Sequence, residues 1–281
     1  MSKSEQATYS HGHHASVIST HARRTAANSA QFLLPHLQSH FKVLDLGCGP
    51  GTITADLASL VPQGSVVGID AVETVLDQAR SLADSRGLTN LTFQNGDANN
   101  LSFSDGEFDV VFCHQLLQHV KDPIGILMEM KRVCRKGGIV AAREADYASF
   151  VWHPRPSELD RWGQLYQQVA RANGGEPNAG RFMPQWTREA GWKTEDVTVS
   201  WNSWCFTGDG ARTWAESWEG RALHSDFAKG VVSKGFATQT DLEAISKAWK
   251  RWSLGSVGEG GYEGCEDRIF VVGNGEVLCR C

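Results

Sequence analysis

Three glycines at alternate positions form the segment of this chain whose chemistry can be predicted most directly. Gly47, Gly49 and Gly51 lie in the segment DLGCGPG, directly after an apolar run that predicts a strand. Glycine permits a sharp turn and a close approach of a ligand to the backbone. A helix predicted to start at Thr52 would direct its N–H groups toward the same point. A tight turn that binds nothing could use the same glycines, but their alternation after a strand favours a cofactor loop.

The spacing of this loop and the aspartates near it indicate which cofactor it binds. A dinucleotide loop has the spacing G-x-G-x-x-G, whereas here the third glycine comes one residue earlier and Asp45 lies two residues before the first. A carboxylate attracts a cation and repels a pyrophosphate, which favours S-adenosylmethionine. Asp70, after the second predicted strand, can accept hydrogen bonds from ribose hydroxyls, and Asp97 with the Ala98 N–H can pair with adenine. Either aspartate alone could equally form a turn.

Apolar β-branched runs alternate with helical patterns from Phe41 to Val140, which is typical of a parallel sheet with helices on both faces. We predict an α/β fold with a Rossmann-like, mostly parallel sheet of seven strands. The intervening helices are predicted to begin at Thr52, Val72 and Pro123, and the last of them to end at 136–138. The first five strands are predicted at 42–46, 66–69, 91–93, 108–113 and 139–142.

The second half of the chain has a different composition, because all ten tryptophans lie at or after Trp152. Helices are predicted at 157–172 and 184–190, and strands at 196–200 and 268–272. The Trp-rich stretch between these two strands is too long for a simple connection, so we expect an inserted helical lid. The predicted units are a helical cover over the cofactor at 1–40, a core at 41–200, a substrate lid at 201–265, and a last strand with its tail at 266–281.

Composition excludes several classes of protein. The chain has 27 Lys and Arg residues against 32 Asp and Glu residues, with no basic stripe for nucleic acid. It has no apolar run approaching the roughly 20 residues of a membrane-spanning helix, and its first residues resemble neither a signal nor a transit peptide. We therefore expect a cytoplasmic protein that acts on a small molecule; the sequence does not indicate its oligomeric state.

Cysteine and histidine patterns give no metal site. Seven cysteines without a CxxC pair argue against a disulfide framework and a zinc ribbon, so reduced thiols are expected. Cys279 and Cys281 form a C-x-C for which a frayed tail is favoured over a metal or redox role. His11, His13 and His14 lack a cysteine or carboxylate at ligand spacing, which favours a solvated segment.

Taken together, DLGCGPG, GID, NGDA, FDVVFCHQLLQHV and a helix ending in KGG resemble the class I S-adenosylmethionine-dependent methyltransferases, and among them the quinone-methylating, UbiE-like branch. The resemblance implies that Asp45 and the glycine loop hold the methionine end, Asp70 and its neighbour the ribose, and Asp97 and Ala98 the adenine. It also places His114 beneath the methionine moiety and the segment with Tyr9 and His11 over the cofactor. The cofactor residues it implies are Asp45, Gly47, Cys48, Gly49, Gly51, Asp70, Ala71, Asp97, Ala98, His114, Tyr9 and His11.

More narrowly, the whole chain resembles the fungal methyltransferases that S-methylate both thiols of reduced epidithiodioxopiperazines, the gliotoxin type. This resemblance implies a small-molecule thiol as substrate; methylation of a quinol carbon or a phenol is the alternative. A thiol has a pKa of about 8.5 and needs mainly alignment, whereas a quinol needs a base. His114, His119 and Tyr9 are candidates for such a base, and none is assigned.

An apolar wall is expected to position the acceptor, since methyl transfer requires the nucleophile about 3 to 3.5 Å from the methyl carbon. Aromatic residues can form such a wall, although for any single tryptophan core packing is favoured over a role in the wall. The residues expected to contact substrate are Trp152, Arg181, Phe182 and Met183.

Overall fold

The structure is a computed structural model that describes residues 23–254 and 268–281. Eight strands form one sheet in this part of the chain: β1 (Lys42–Leu46), β2 (Ser65–Asp70), β3 (Leu91–Asn95), β4 (Phe108–His114), β5 (Cys134–Ala145), β6 (Val151–His153), β7 (Val197–Thr207) and β8 (Ile269–Arg280). The α-helices in the same residues are α1 (Ala26–Ser29), α2 (Thr52–Leu60), α3 (Glu73–Ser85), α4 (Pro123–Val133), α5 (Ser157–Ala172), α6 (Ala179–Glu189), α7 (Gly208–His224), α8 (Asp226–Ser233) and α9 (Gln239–Leu254).

The sheet confirms the predicted Rossmann-like fold. Its strands lie in the order β3, β2, β1, β4, β5, β8 and β7; β8 runs antiparallel to β5, β6 and β7, and the other pairs of described strands are parallel. β6 pairs with the first residues of β8 on the side where β5 pairs with the rest, so it continues the β5 position. Eight strands therefore occupy the seven predicted positions. The carboxyl ends of β1 to β5 meet at one edge, where ligands bind in such sheets.

Helices cover both faces of the sheet, as the alternation along β4 shows. Val110 and Phe112 contribute to the hydrophobic core that contains α2 and α3. Val111 and Cys113 contribute to the core on the opposite face, with α4 and α6. Successive side chains of a strand point to opposite faces, so a strand that is apolar throughout requires cover on both.

A third core, rich in large aromatic side chains, lies between α5, α7, α9 and β8. The ring of Trp162 lies 4.6 Å from that of Trp218 and 5.0 Å from that of Trp249, both edge to face. Together with Trp252 they are almost completely buried. The helical Trp-rich region is thus present, and Trp218, Trp249 and Trp252 pack against each other and against Trp162.

Several predicted boundaries were wrong. β7 extends to Thr207, so Trp201 and Trp204 lie on a strand and the boundary expected at 200/201 falls inside it. α6 begins at Ala179 rather than at Pro184. Pro184 lacks the N–H that would bond to the carbonyl of Gly180, four residues earlier. This carbonyl instead faces Gly275 of β8 closely, since a Cβ built on Gly275 would lie 2.1 Å from the Gly180 oxygen.

The region around KGG was also predicted incorrectly. α4 ends at Val133, and β5 already begins at Cys134, which pairs with Phe108 across a register shift. Gly137 has a φ of 74°, which ends any helical continuation there. The tail is not frayed either, because β8 continues through Cys279 and the Cys281 N–H donates to the Gly138 carbonyl at 3.1 Å. Among the described helices, none has the length and apolarity needed to cross a membrane.

Candidate active site

The glycine loop connects β1 to α2 through backbone conformations that favour glycine. Gly47, Gly49 and Gly51 have φ values of 69°, 53° and 77°. Gly51, not Thr52, is the N-cap of α2. A Cβ added at Gly49 would meet no atom within 4 Å, so the space in front of the loop is open. The loop therefore fits a ligand that approaches the backbone closely at Gly49.

Asp70 holds the loop in place. Its Oδ2 accepts a hydrogen bond from the Gly49 N–H at 3.0 Å, and its Oδ1 accepts one from the Val72 N–H at 3.0 Å. A carboxylate has about four lone-pair positions, so both oxygens retain capacity for ribose hydroxyls. Asn95 of β3 donates to the carbonyls of Asp70 and Ala71. The residue predicted for the ribose thus lies against the predicted methionine loop.

Asp45 lies beneath the same loop and is almost fully buried. The Thr54 hydroxyl donates a hydrogen bond to its Oδ2 at 2.7 Å. Burial raises the pKa of Asp45 from 3.8 to about 7, and the negative charge of Asp70 adds to this, while the Thr54 hydrogen bond opposes it. The site therefore contains a carboxyl group whose ionised form a nearby cation would stabilise.

Three further cofactor candidates lie in the loop itself and in the turn after β3. Cys48 packs against the core beside Gly68, and burial raises the pKa of its thiol, which agrees with a packing role. Asp97 follows β3 and uses its Oδ1 to accept hydrogen bonds from the N–H and side chain of Asn99, the turn that was its alternative explanation. Ala98 packs against the core beside α4. Adenine binding by Asp97 and Ala98 stays a prediction.

The turn after β4 is fixed by a buried carboxyl group. Glu144 accepts hydrogen bonds from three successive N–H groups, those of Leu116, Leu117 and Gln118, at 3.0, 2.9 and 3.1 Å. Burial raises the pKa of Glu144 to about 7 despite these bonds. Gln115, at the start of the turn, has a φ of 52°, an uncommon conformation for a residue with a side chain. The turn holds His114 at the carboxyl end of β4.

Neither histidine of this region is a strong base. His114 is almost fully buried, and none of the described residues hydrogen-bonds its Nε2. Burial, with the positive charges of Arg24 and Arg143, holds the pKa of His114 well below 6.5. Burial and Arg24 likewise lower the pKa of His119 to about 3. Both rings are neutral at physiological pH, and an orphaned buried nitrogen at His114 fits a ligand-binding position.

Next to His114, two arginines flank the indole of Trp204. The His114 ring lies 5.7 Å from the Trp204 ring, and the guanidinium carbons of Arg143 and Arg24 lie 4.6 and 5.8 Å from its centre. Trp204 Nε1 donates to the Asn28 carbonyl at 2.7 Å, and Arg143 donates to the same oxygen. Residues 23–29, called the N-terminal segment below, are thereby joined to β7 and β5 at the carboxyl edge of the sheet.

Arg143 and Arg24 have further partners. Arg143 is buried and pairs with Glu276 of β8 at 3.3 Å, while burial lowers its pKa to about 10. Arg24 donates to the Gln115 side chain. Positive charge is therefore concentrated where the turn after β4 meets the N-terminal segment.

A pocket opens beside these groups, between the N-terminal segment, β7 and α7. Its cavity volume is about 130 Å³, and the pocket is partly open to solvent. Trp204, Phe206 and Trp214 form its aromatic wall. The rings of Phe206 and Trp214 stack with their centres 5.1 Å apart. Arg23 and Arg24 contribute its positive charge. Since Trp204 also contacts His114, the pocket adjoins the predicted methionine position.

The residues expected to contact substrate lie elsewhere. Trp152 stacks on Phe270 in the aromatic core, and Met183 is fully buried in the core beside α4. Arg181 forms a two-point ion pair with the buried Asp146, and Phe182 stacks on Trp186. The pocket is lined by a different set of side chains. Tyr9 and His11 lie outside the described residues.

Sequence reasoning missed the charged groups behind the pocket. Arg143 and Glu144 follow directly on an apolar strand in AAREAD, just beyond the predicted end of that strand at residue 142. Two charged residues that continue an apolar strand indicate buried charges with partners elsewhere in the fold, because charges that are buried must be paired. Their partners, Glu276 and the turn after β4, come from distant parts of the sequence.

Comparison with known proteins agrees with this geometry. The methyltransferase domain family matches residues 37–195. An uncharacterized methyltransferase of Schizosaccharomyces pombe is 34% identical over 268 residues, which cover 92% of this chain and 95% of that protein. The probable methyltransferase ltbC of Aspergillus luteorubrus is 32% identical over 263 residues, covering 87% and 90%.

A solved structure shows the same fold. The YcgJ protein of Bacillus subtilis matches with a TM-score of 0.53 at 16% identity, over 88% of this chain and 95% of that one. The matches extend across both halves of the chain, including the aromatic layer. The cofactor of this family is S-adenosylmethionine, which the open glycine loop and the orphaned His114 nitrogen fit. The chain belongs to the class I S-adenosylmethionine-dependent methyltransferases.

Proposed function

We propose that this enzyme methylates the free thiols of a small reduced dithiol of the gliotoxin type, one after the other. The observation that carries the proposal is the aromatic pocket with Arg24 in its wall, adjoining His114. Aromatic walls suit a flat or caged ring system. A cytoplasmic location belongs to the same proposal, because reducing conditions there keep such an acceptor in its thiol form.

The electrostatics of the pocket favour a thiol as acceptor. S-adenosylmethionine supplies an electrophilic methyl group, so the protein's task is to present the acceptor sulfur as a thiolate. A neighbouring positive charge lowers the pKa of an acid, and Arg24 supplies that charge at the pocket wall. The acceptor thiol would lose its proton to solvent, and its sulfur lone pair would form the new bond to the methyl carbon as the bond from that carbon to the cofactor sulfonium breaks, which leaves S-adenosylhomocysteine.

The residues around the pocket suit this task without a general base. His114 is buried and His119 is half-buried, and both are neutral with strongly depressed pKa values. A thiol near neutral pH already ionises in part, and the Arg24 charge increases that fraction. Aromatic groups around the sulfur exclude water and hold the angle of attack, on which a displacement of this kind depends.

Methylation of a quinol carbon or a phenol is the alternative. One observation favours it: a neutral imidazole can accept a proton, and His114 lies at the carboxyl end of β4 beside the pocket wall. Its Nε2, however, has almost no accessible surface, so this atom would have to be exposed before it could act. The thiol proposal requires no such rearrangement.

A transfer assay with labelled S-adenosylmethionine separates the two reactions. We expect methyl transfer to a reduced dithiol of the gliotoxin type, with product methylated on both sulfurs, slower transfer to a simple monothiol, and none to a demethylated quinol. Transfer to the quinol alone would overturn the thiol proposal and leave the cofactor site standing.

The pH dependence of kcat tests the contribution of Arg24. We expect Arg24→Gln to move the acidic limb of the profile upward by about one pH unit, because the bound thiol loses its stabilising cation. Arg24→Lys should restore most of the shift. Arg23→Gln is the matched control, since Arg23 lines the same pocket but is more exposed. An unchanged limb in Arg24→Gln would show that Arg24 does not act on the acceptor.

A further inference from the structure

A group of thiols lies at the other end of the sheet, away from the cofactor loop. Cys134 opens β5, and Cys279 and Cys281 lie at the end of β8. Cys134 and Cys279 are buried members of one hydrophobic core, and Cys281 packs against it half-buried. These thiols take no part in the proposed methyl transfer.

Backbone pairing brings two of them together. The Cys281 N–H donates to the Gly138 carbonyl at 3.1 Å, and the Gly137 N–H donates to the Cys281 carbonyl. A Cβ built on Gly138 would lie 2.7 Å from Cys134 Sγ, so the absence of a side chain at Gly138 leaves room for that sulfur. Cys134 Sγ thus lies beside Gly138, the residue with which Cys281 pairs. The side chains of Cys134 and Cys281 are in hydrogen-bonding contact.

The two thiols differ in reactivity. The hydrogen bond from Cys134 lowers the pKa of Cys281, and the positive charge of Lys131 acts in the same direction. The same hydrogen bond, with burial, raises the pKa of Cys134. Burial raises the pKa of Cys279 to about 12. Cys281, the more exposed thiol of the pair, is therefore also the better nucleophile, because the thiolate is the reactive form.

We infer that Cys134 and Cys281 form a thiol–disulfide exchange site that reacts with small disulfides. This site is independent of the substrate proposed above, since it rests on a different part of the sheet.

The reaction balances in two exchange steps. The Cys281 thiolate attacks one sulfur of the small disulfide, forms a mixed disulfide and releases one thiolate. Cys134 then loses its proton and attacks the Cys281 sulfur, which forms the Cys134–Cys281 disulfide and releases the second small thiol. The small disulfide is reduced by two electrons, the protein pair is oxidised by two, and a reducing dithiol reverses both steps.

Glutathione disulfide is the probe for the test. The reduced full chain is incubated with it at neutral pH, remaining thiols are alkylated, and peptides are mapped by mass spectrometry without reduction. We expect the loss of two titratable thiols per chain, one cross-linked peptide joining Cys134 to Cys281, and full reversal by dithiothreitol. This measurement needs no variant, so it does not depend on the folding of a mutant.

Variants then establish the order of attack. In Cys134→Ser, glutathione should remain attached to Cys281, because no second thiol displaces it; in Cys281→Ser, Cys134 should stay unmodified. Cys205→Ser is the matched control, since Cys205 is exposed on β7, and it should cross-link like the unaltered chain. Modification of Cys205 alone, or a cross-link joining Cys281 to Cys279, would overturn the inference.

Discussion

The cofactor end of the sheet and the Trp-rich half are built by different means. At the predicted cofactor end, positive φ angles at Gly47, Gly49 and Gly51 and the carboxylate of Asp70 define the site, all within residues 47–70. In the second half, large side chains from α5, α7, α9 and β8 fill one core, and a few aromatic residues beside it line the pocket. Backbone-defined sites can be predicted from spacing, whereas packing-defined sites depend on contacts between distant residues.

The largest expected effect separates core tryptophans from pocket tryptophans. Trp162→Ala should lower the free energy of unfolding by about 3 to 5 kcal/mol, because it leaves a cavity among five aromatic neighbours. Trp204→Ala should lower it much less, since Trp204 is only partly buried, and should instead lower kcat/KM for the acceptor. Urea unfolding and steady-state kinetics measure both. Equal destabilisation by the two variants would remove the distinction between core and pocket.

Two substitutions in the glycine loop should likewise differ, one in its effect on stability and the other in its effect on cofactor binding. A Cβ at Gly51 would lie 2.8 Å from Ala79 Cβ and from Phe93 Cζ, so Gly51→Val should destabilise the fold by more than about 2 kcal/mol. Gly49 has open space, so Gly49→Val should fold with only about 1 to 2 kcal/mol of backbone strain yet lose S-adenosylmethionine binding. Thermal unfolding and calorimetric titration separate the outcomes. Normal cofactor affinity in a folded Gly49→Val would place the cofactor away from this loop.

Asp70→Ala tests the carboxylate that connects the loop to β2. We expect the affinity for S-adenosylmethionine to fall by roughly 10- to 100-fold, because the ribose loses its acceptor and the Gly49 N–H loses its partner. Asp70→Asn, which keeps one acceptor oxygen, should lose less. Fluorescence or calorimetric titration measures both. A fall of equal size in both variants would show that charge, rather than hydrogen bonding, is what the site requires.

The parts that sequence could predict are those with local causes. The strands β1 to β4 and the helix α5 follow from apolar periodicity, and the end of α3 has a local cause in Gly87, which follows its C-cap with a φ of 64°. Arg143 could not be assigned, because its burial depends on Glu276 and its position on Trp204 and Asn28. The identity of the pocket wall likewise depends on how far β7 extends beyond Ser200. Cys281 was misinterpreted for the same reason, since only its pairing with Gly138 shows that it is held in the sheet.

The smallest expected effect concerns the proton on Asp45. Its folded pKa of about 7 lies above its unfolded value of 3.8, so the folded state binds more protons between these values. Its contribution to stability is therefore fully present below about pH 4 and is lost as the pH rises through 7. At pH 7 the carboxyl group is about half protonated. A bound cofactor cation should lower the pKa of Asp45 and release up to about half a proton, so cofactor affinity should rise between pH 6 and 8.

Calorimetry in two buffers of different ionisation enthalpy measures this release directly. Asp45→Asn should abolish it, because an amide does not titrate. Glu144→Gln is the matched control, since Glu144 is also buried with a pKa raised to about 7, but it is hydrogen-bonded to the turn after β4. Asp70 also faces Asp45 and raises its pKa, so Asp70→Asn should reduce the release without abolishing it. Proton release that persists in Asp45→Asn but disappears in Glu144→Gln would assign the coupled carboxyl group to the β4 turn. The carboxyl group that responds to the cofactor cation would then lie beside the pocket, at the turn after β4, and not beneath the glycine loop. The electrostatic response to the cofactor would in that case depend on contacts between distant residues, as the pocket does, and not on the local sequence of the loop.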